Sequence, residues 1–120
     1  MEGLRHSILV VEDDPSLRLL ARVNLELEGF VVREAASLAE ARAALVEERP
    51  DVVFLDVHLG REQSDELLDE LAADGIPVVL VTGTADADSY RTRATEVLGK
   101  PYAPEALVDA ARRLAVGPVG

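Results

Sequence analysis

Cysteine and tryptophan are both absent from the 120 residues. Without cysteine there is no disulfide framework and no thiolate metal site. Aromatic side chains are few, with two Phe and two Tyr, so Val, Leu and Ala must fill any core. No apolar stretch approaches the ~18 residues of a membrane span, and the first residues lack the layout of a signal peptide. Basic residues are scarce: 12 Lys and Arg stand against 23 Asp and Glu, a formal charge of -11. A domain that grips duplex nucleic acid carries a basic patch to neutralise phosphates, so direct nucleic-acid binding is not expected, and neither is membrane association. The length suits one domain with a substantial core. The expectation is a soluble cytoplasmic protein, one unit over 1–120 with its core at about 7–115 and a tail at 116–120.

Hydrophobic residues make up 48% of the chain, arranged in alternating strand-like and helix-like segments. The runs Ile8-Leu9-Val10-Val11, Val52-Val53-Phe54-Leu55 and Val78-Val79-Leu80-Val81 are unbroken, as strands buried on both faces of a parallel sheet are. Phe30–Ala35 and Val97–Gly99 are more polar or shorter, which suits sheet edges. Asp14-Pro15 offers a helix N-cap followed by proline at the first helical position, and Ser37 with Glu40 forms a capping box. Leu67, Leu68, Leu71 and Ala72 mark another helix, and Leu107, Ala110, Ala111 and Leu114 the last one. A short helix is predicted around Ser89–Thr95. Glu62–Asp74 carries six acids and no base, whereas Tyr90–Arg113 carries five bases and three acids. The first stretch reads as a solvated helix face, or as a charge bias that orients partners. Right-handed crossovers put helices on both faces. The pattern predicts an α/β, doubly wound, five-stranded parallel sheet of the flavodoxin-like class. The strand order 2-1-3-4-5 satisfies these constraints and is one of the two common doubly wound orders.

Chemistry-bearing residues close the apolar runs. Glu12 and Asp13 follow the first, Asp56 the third, Thr82 the fourth and Lys100 the fifth. In a parallel sheet these positions share one edge, beyond the carboxyl ends of the strands, where ligands bind at the switch point. Crowded carboxylates repel, and a hard divalent cation relieves them. Mg²⁺ takes one or two carboxylates plus phosphate oxygens. Thr82 is a hydroxyl donor and Lys100 a mobile point charge suited to a phosphoryl oxygen. Singly each residue is weak; Asp14, for example, reads as a cap alone. The specificity lies in the ordered set.

The segments Val10-Val11-Glu12-Asp13-Asp14-Pro15, Leu55-Asp56, Val81-Thr82-Gly83 and Lys100-Pro101-Tyr102 resemble the receiver domain of two-component response regulators, over Ile8 to about Leu114. The resemblance implies that Asp56 is the phosphoacceptor and Asp13 a direct Mg²⁺ ligand. It implies metal ligation by Asp56 and the His58 backbone carbonyl too, with Glu12 acting through metal-bound water. Thr82 would be the signalling hydroxyl and Lys100 the phosphoryl-pairing lysine. Family resemblance also gives the side chains of His58 and Thr84 an influence on how fast phosphate is lost. The implied donor is a sensor histidine kinase or a phosphotransfer protein, and the recipient of the signal an unidentified downstream protein. The chain would be a monomer or a phosphorylation-dependent dimer. It would assist its own phosphorylation and dephosphorylation without being a turnover enzyme.

Several positions depart from the family pattern. Leu59-Gly60 and Ser64 stand where Met-Pro and a later Gly are usual, resembling a subgroup with a Gly-containing loop that often lacks an output domain. The segment between Thr82 and Lys100 is short, so a truncated fourth helix is expected. Val97 replaces an aromatic that often couples to the threonine, a place Tyr90 fills only if the segment folds back. Ala115–Gly120 implies either a stand-alone receiver or an excised piece of a longer chain. Two rivals remain: a pseudo-receiver that binds partners without phosphorylation, and a Mg²⁺-dependent phosphohydrolase. The second usually needs an acid two residues beyond the nucleophile, where this chain has His58.

Overall fold

A computed structural model describes residues 6–116. Its sheet has five parallel strands, β1 (Ser7–Val11), β2 (Val31–Ala35), β3 (Val52–Asp56), β4 (Val78–Gly83) and β5 (Glu96–Lys100). Their spatial order is β2-β1-β3-β4-β5, so the flavodoxin-like topology is observed. Helices α1 (Pro15–Leu27), α2 (Leu38–Glu47), α3 (Asp65–Ala73), α4 (Thr84–Tyr90) and α5 (Pro104–Val116) connect and follow them.

Period-two alternation divides each central strand between two cores. Ile8, Val10, Phe54, Val79 and Val81 face α1 and α5, where they meet Ala21, Leu25, Leu107 and Ala111. Leu9, Val11, Leu55, Val78 and Leu80 face the other way, against Ala41 of α2 and Leu67, Leu68 and Leu71 of α3. Burial of large aliphatic side chains on both faces supplies most of the folding free energy, roughly 1.5–3 kcal/mol for each side chain fully withdrawn from water.

Local signals set the helix starts. Asp14 Oδ1 accepts from Ser16 N at 2.8 Å and Leu17 N at 3.3 Å, with Pro15 at the first helical position. Ser37 Oγ accepts from Glu40 N at 3.1 Å, while Glu40 Oε1 reaches back to Ala36 N at 2.8 Å. The polar pair that interrupts β2 is accounted for at the sheet edge. Arg33 donates to Ala44 O and Glu47 Oε1, each at 2.9 Å. Glu34 takes Arg22 at 2.6 Å and Arg18 at 2.9 Å, and these two guanidiniums hold its carboxyl below the usual range despite some burial.

Three expectations need correction. The short helix spans Thr84–Tyr90 rather than Ser89–Thr95, and Arg91–Thr95 form turns leading into β5. The segment after Asp56 is not open loop: His58–Leu59 pairs antiparallel with Glu62–Gln63. Finally, α5 continues through Val116, past the expected start of the tail. Residues 117–120 of that tail lie outside the described residues, as does the Thr84 side chain.

The acidic stretch 62–74 is a mostly exposed face, as the sequence suggested, and two arginines offset part of its charge. Arg42 of α2 meets Glu70 at 2.5 Å and Glu66 at 3.5 Å. Arg93, beyond α4, meets Asp65 at 2.9 Å and Asp69 at 3.0 Å. Tyr90 and Val97 both pack on the α2/α3-side core, and the Tyr90 hydroxyl lies 3.1 Å from both Asp65 carboxylate oxygens. The shortened segment does fold back.

Candidate functional site: an acidic cleft at the strand ends

Glu12 and Asp13 leave β1, and Asp56 ends β3, its neighbour in the sheet. Each of the three offers one carboxylate oxygen within a set lying no more than 4.8 Å apart. They line an open cleft of about 370 Å³ together with His58, Gly60 and Lys100. Lys100, at the end of β5, reaches across. Its Nζ is 2.8 Å from Asp56 Oδ2 and 3.4 Å from Glu12 Oε1. The Lys100–Pro101 peptide is cis.

Burial governs the electrostatics. Glu12 is 6% and Asp56 5% exposed, a strongly desolvated pair. Burial first, and then the Asp56 charge, push the Glu12 carboxyl up to about 7, against the pull of the Asp14 N–H and Lys100. For Lys100, burial lowers the pKa, but the hydrogen bond and charge of Asp56, with Glu12 behind it, outweigh this and raise it. Tyr102 packs on the α1/α5-side core, and burial followed by the Glu12 charge raises its phenol.

Backbone donors fix two of the carboxylates. The His58 N–H donates to Asp56 Oδ1 at 3.1 Å, and the Gly60 N–H to Asp13 Oδ2 at 3.0 Å. Both amides belong to the small hairpin after β3. Gly60 has φ +61 and no non-Gly residue has positive φ among those described. That fits a type II′ turn, which needs a left-handed first residue and so favours glycine there. The Ser64 N–H bonds the Val57 carbonyl at 3.0 Å, which makes His58–Gln63 a non-hydrogen-bonded pair of the hairpin. The His58 carbonyl therefore lies on the same outward edge as its N–H, the edge that faces Asp56. The His58 side chain is exposed.

Thr82 differs from the other candidates. It adjoins the cleft at the end of β4, paired in register with Gly99, but it is 1% exposed and does not line the cleft. Among the described residues its Oγ1 is the buried side-chain oxygen without a hydrogen-bond partner. A buried hydroxyl normally finds a partner, and Thr82 Oγ1 is an exception to that rule. Gly83 beside it leaves open space where a Cβ would stand.

The donor set suits a hard cation: clustered carboxylate oxygens, with no nitrogen or sulfur ligand in the cluster. Sequence reasoning brought Glu12, Asp13, Asp56 and Lys100 to one place, and they meet. It missed Arg18, whose guanidinium donates to the Glu12 carbonyl at 2.8 Å and so braces the acidic turn from α1. An arginine four residues after an N-cap is the only signal it left.

A family model described as the response regulator receiver domain matches residues 8–112. This chain belongs to the receiver domain family. Among curated receivers it is 34% identical over 113 residues to the DNA-binding response regulator MtrA of Mycolicibacterium smegmatis, covering 90% of this chain and 50% of that protein. It is 32% identical over 111 residues to the phosphate regulon transcriptional regulatory protein PhoB of Pseudomonas aeruginosa, covering 85% of this chain and 48% of that one. The chain thus spans about half the length of these relatives. Among solved receivers, that of NtrX from Brucella abortus superposes with a TM-score of 0.84 at 33% identity, covering 92% of this chain and 99% of that one. The chemotaxis protein CheY4 of Vibrio cholerae gives 0.80 at 25% identity, covering 92% and 98%.

Proposed function

We propose that this receiver accepts a phosphoryl group on Asp56 in a Mg²⁺-dependent reaction and relays the event by a conformational change. One observation carries the reading: a buried carboxylate, Asp56, faces the cleft between a cation at 2.8 Å and two further acids. Asp13 and Asp56, the His58 carbonyl, and Glu12 through water are the groups that would hold the metal. When bound, Mg²⁺ offsets the mutual repulsion of the acids and the charge on a phosphoryl group.

The chain's own residues do the rest. An Asp56 carboxylate oxygen attacks phosphorus, the bond from phosphorus to the donor's imidazole nitrogen or acyl oxygen breaks, and an acyl phosphate forms on Asp56. Lys100 exchanges its contact with Asp56 Oδ2 for a phosphoryl oxygen. Thr82 leaves its buried position to donate to another. That movement vacates space on the face it shares with Val97 and Tyr90, where the folded-back segment leans on α3. A local change of charge is then read through an element with two arrangements.

The donor in this reading is a sensor histidine kinase or phosphotransfer protein, and the signal passes to a downstream protein in the cytoplasm. The unit is a single receiver over about 7–115, a phosphoacceptor rather than a turnover enzyme, monomeric or dimerising when phosphorylated. Its acidic charge opposes direct nucleic-acid contact by this unit. No described helix is long and apolar enough to cross a membrane. The test is incubation with acetyl phosphate, with and without Mg²⁺, read by intact mass. One phosphoryl mass is expected with Mg²⁺, and none for Asp56→Asn. No adduct from either acetyl phosphate or a phosphohistidine donor would favour a phosphorylation-independent binding module instead.

A further inference from the structure

Ser64 immediately precedes α3, in the N-cap position, and serine there ordinarily accepts from the amides of the first turn. Asp14 and Ser37 do so for α1 and α2. Ser64 does not; its side chain makes no cap bond. Its hydroxyl instead donates to the backbone carbonyl of Asp56 at 2.5 Å, in a site where Ser64 is 1% exposed. The β1–β3 ladder ends at Val11 and Leu55, so this carbonyl lies just past the last rung.

A second observation concerns the same residue's backbone. The Ser64 N–H donates to the Val57 carbonyl at 3.0 Å, and its own carbonyl accepts from Leu68 N at 2.9 Å. Ser64 therefore spends two donors on consecutive carbonyls at the end of β3 while opening α3. Between those points runs the hairpin whose amides at His58 and Gly60 hold Asp56 Oδ1 and Asp13 Oδ2. Both ends of the hairpin converge on one buried side chain.

We propose that Ser64 is a positioning residue for the phosphoacceptor, its hydroxyl clasping the base of the 57–64 hairpin so that the hairpin amides aim the Asp56 and Asp13 carboxylates. The role rests on Asp56 as phosphoacceptor and adds to it. Ser64 touches neither donor nor metal and acts through the Asp56 backbone. Losing the hydroxyl frees the carbonyl, loosens the hairpin and lets both carboxylates wander. Small misplacements of reacting groups cost large factors in rate.

The experiment compares wild type, Ser64→Ala and Ser64→Gly, with Ser37→Ala as a control that removes a cap bond far from the cleft. Phosphorylation by acetyl phosphate is followed by intact mass, Mg²⁺ affinity by calorimetry, and unfolding by circular dichroism. Both Ser64 variants are expected to phosphorylate roughly tenfold more slowly and to bind Mg²⁺ several-fold more weakly. Ser37→Ala is expected to lose stability with an unchanged rate. A folded Ser64→Ala or Ser64→Gly with a rate within about twofold of wild type overturns the proposal. If neither variant folds, amide exchange on the wild type decides. His58 and Gly60 amides protected like those of β3 support the clasp, and unprotected ones overturn it. A wild type that takes no phosphoryl group would instead remove the phosphoacceptor reading, and Ser64's role with it.

Discussion

Glu12→Gln is expected to make the metal-free protein more stable at neutral and alkaline pH, although it removes a residue of the acidic site. The Glu12 carboxyl titrates at about 7 in the folded chain against an ordinary 4.5. Below pH 4.5 both folded and unfolded chains hold the proton, and the group has no effect on stability. Between 4.5 and 7 the unfolded chain has released it and the folded chain has not, so stability falls as pH rises. Above 7 the full penalty is present. Each pH unit of displacement is worth ~1.4 kcal/mol, so the ceiling is about 3 kcal/mol. Glutamine keeps the acceptor that Asp14 N–H uses and carries no charge to bury. Urea unfolding in chelator, read by circular dichroism from pH 5 to 8, should show the variant pulling ahead of wild type only as pH rises. Added Mg²⁺ should then favour wild type, by ~1.4 kcal/mol at tenfold excess over Kd. A variant less stable than wild type at pH 8 without metal, or a difference constant with pH, would refute the reasoning.

Thr82→Val removes a buried hydroxyl that has no partner. Stability in urea should hold or rise by about 1 kcal/mol, while any spectral change that phosphorylation produces in wild type should be lost. A loss of more than about 2 kcal/mol would mean the hydroxyl is already bonded. Lys100→Met leaves Asp56 and Glu12 facing one another without a cation. It should cost roughly 3 kcal/mol at pH 8 and clearly less at pH 5, where Glu12 carries its proton; equal costs at the two pH values would contradict that electrostatic account. Tyr90→Phe deletes the hydroxyl contact with Asp65 and should cost about 1 kcal/mol, with faster amide exchange in Thr84–Thr95 but not in β1. Uniform exchange across the chain would show that Tyr90 does not anchor that segment.

The central strands were legible because a strand buried on both faces leaves an unbroken apolar run, and Ile8–Val11, Val52–Leu55 and Val78–Val81 are such runs. The caps at Asp14 and Ser37 were legible because their bonds are local. Acids at strand ends could be brought to one place once the strands were taken as parallel. What escaped depends on contacts far apart in sequence or on weak local patterns. α4 has seven residues, no side-chain cap bond and no apolar stripe, so Thr84–Tyr90 gave less signal than the residues after it. The hairpin at 58–63 has only two residues in each arm, too short for alternation to register. Ser64 read only as a departure from a family glycine; its bond to Asp56 spans a fold-back that no local pattern encodes.

The most direct measurement is the position of the phosphoryl group. Protein phosphorylated with acetyl phosphate and Mg²⁺ is reduced with borohydride, which converts an aspartyl phosphate to homoserine, and the digested peptides are sequenced by mass. Homoserine at position 56 alone is the expected result. Conversion at Asp13 or elsewhere, or at no residue while the cleft binds Mg²⁺, would contradict the assignment of Asp56 as the residue that receives phosphate.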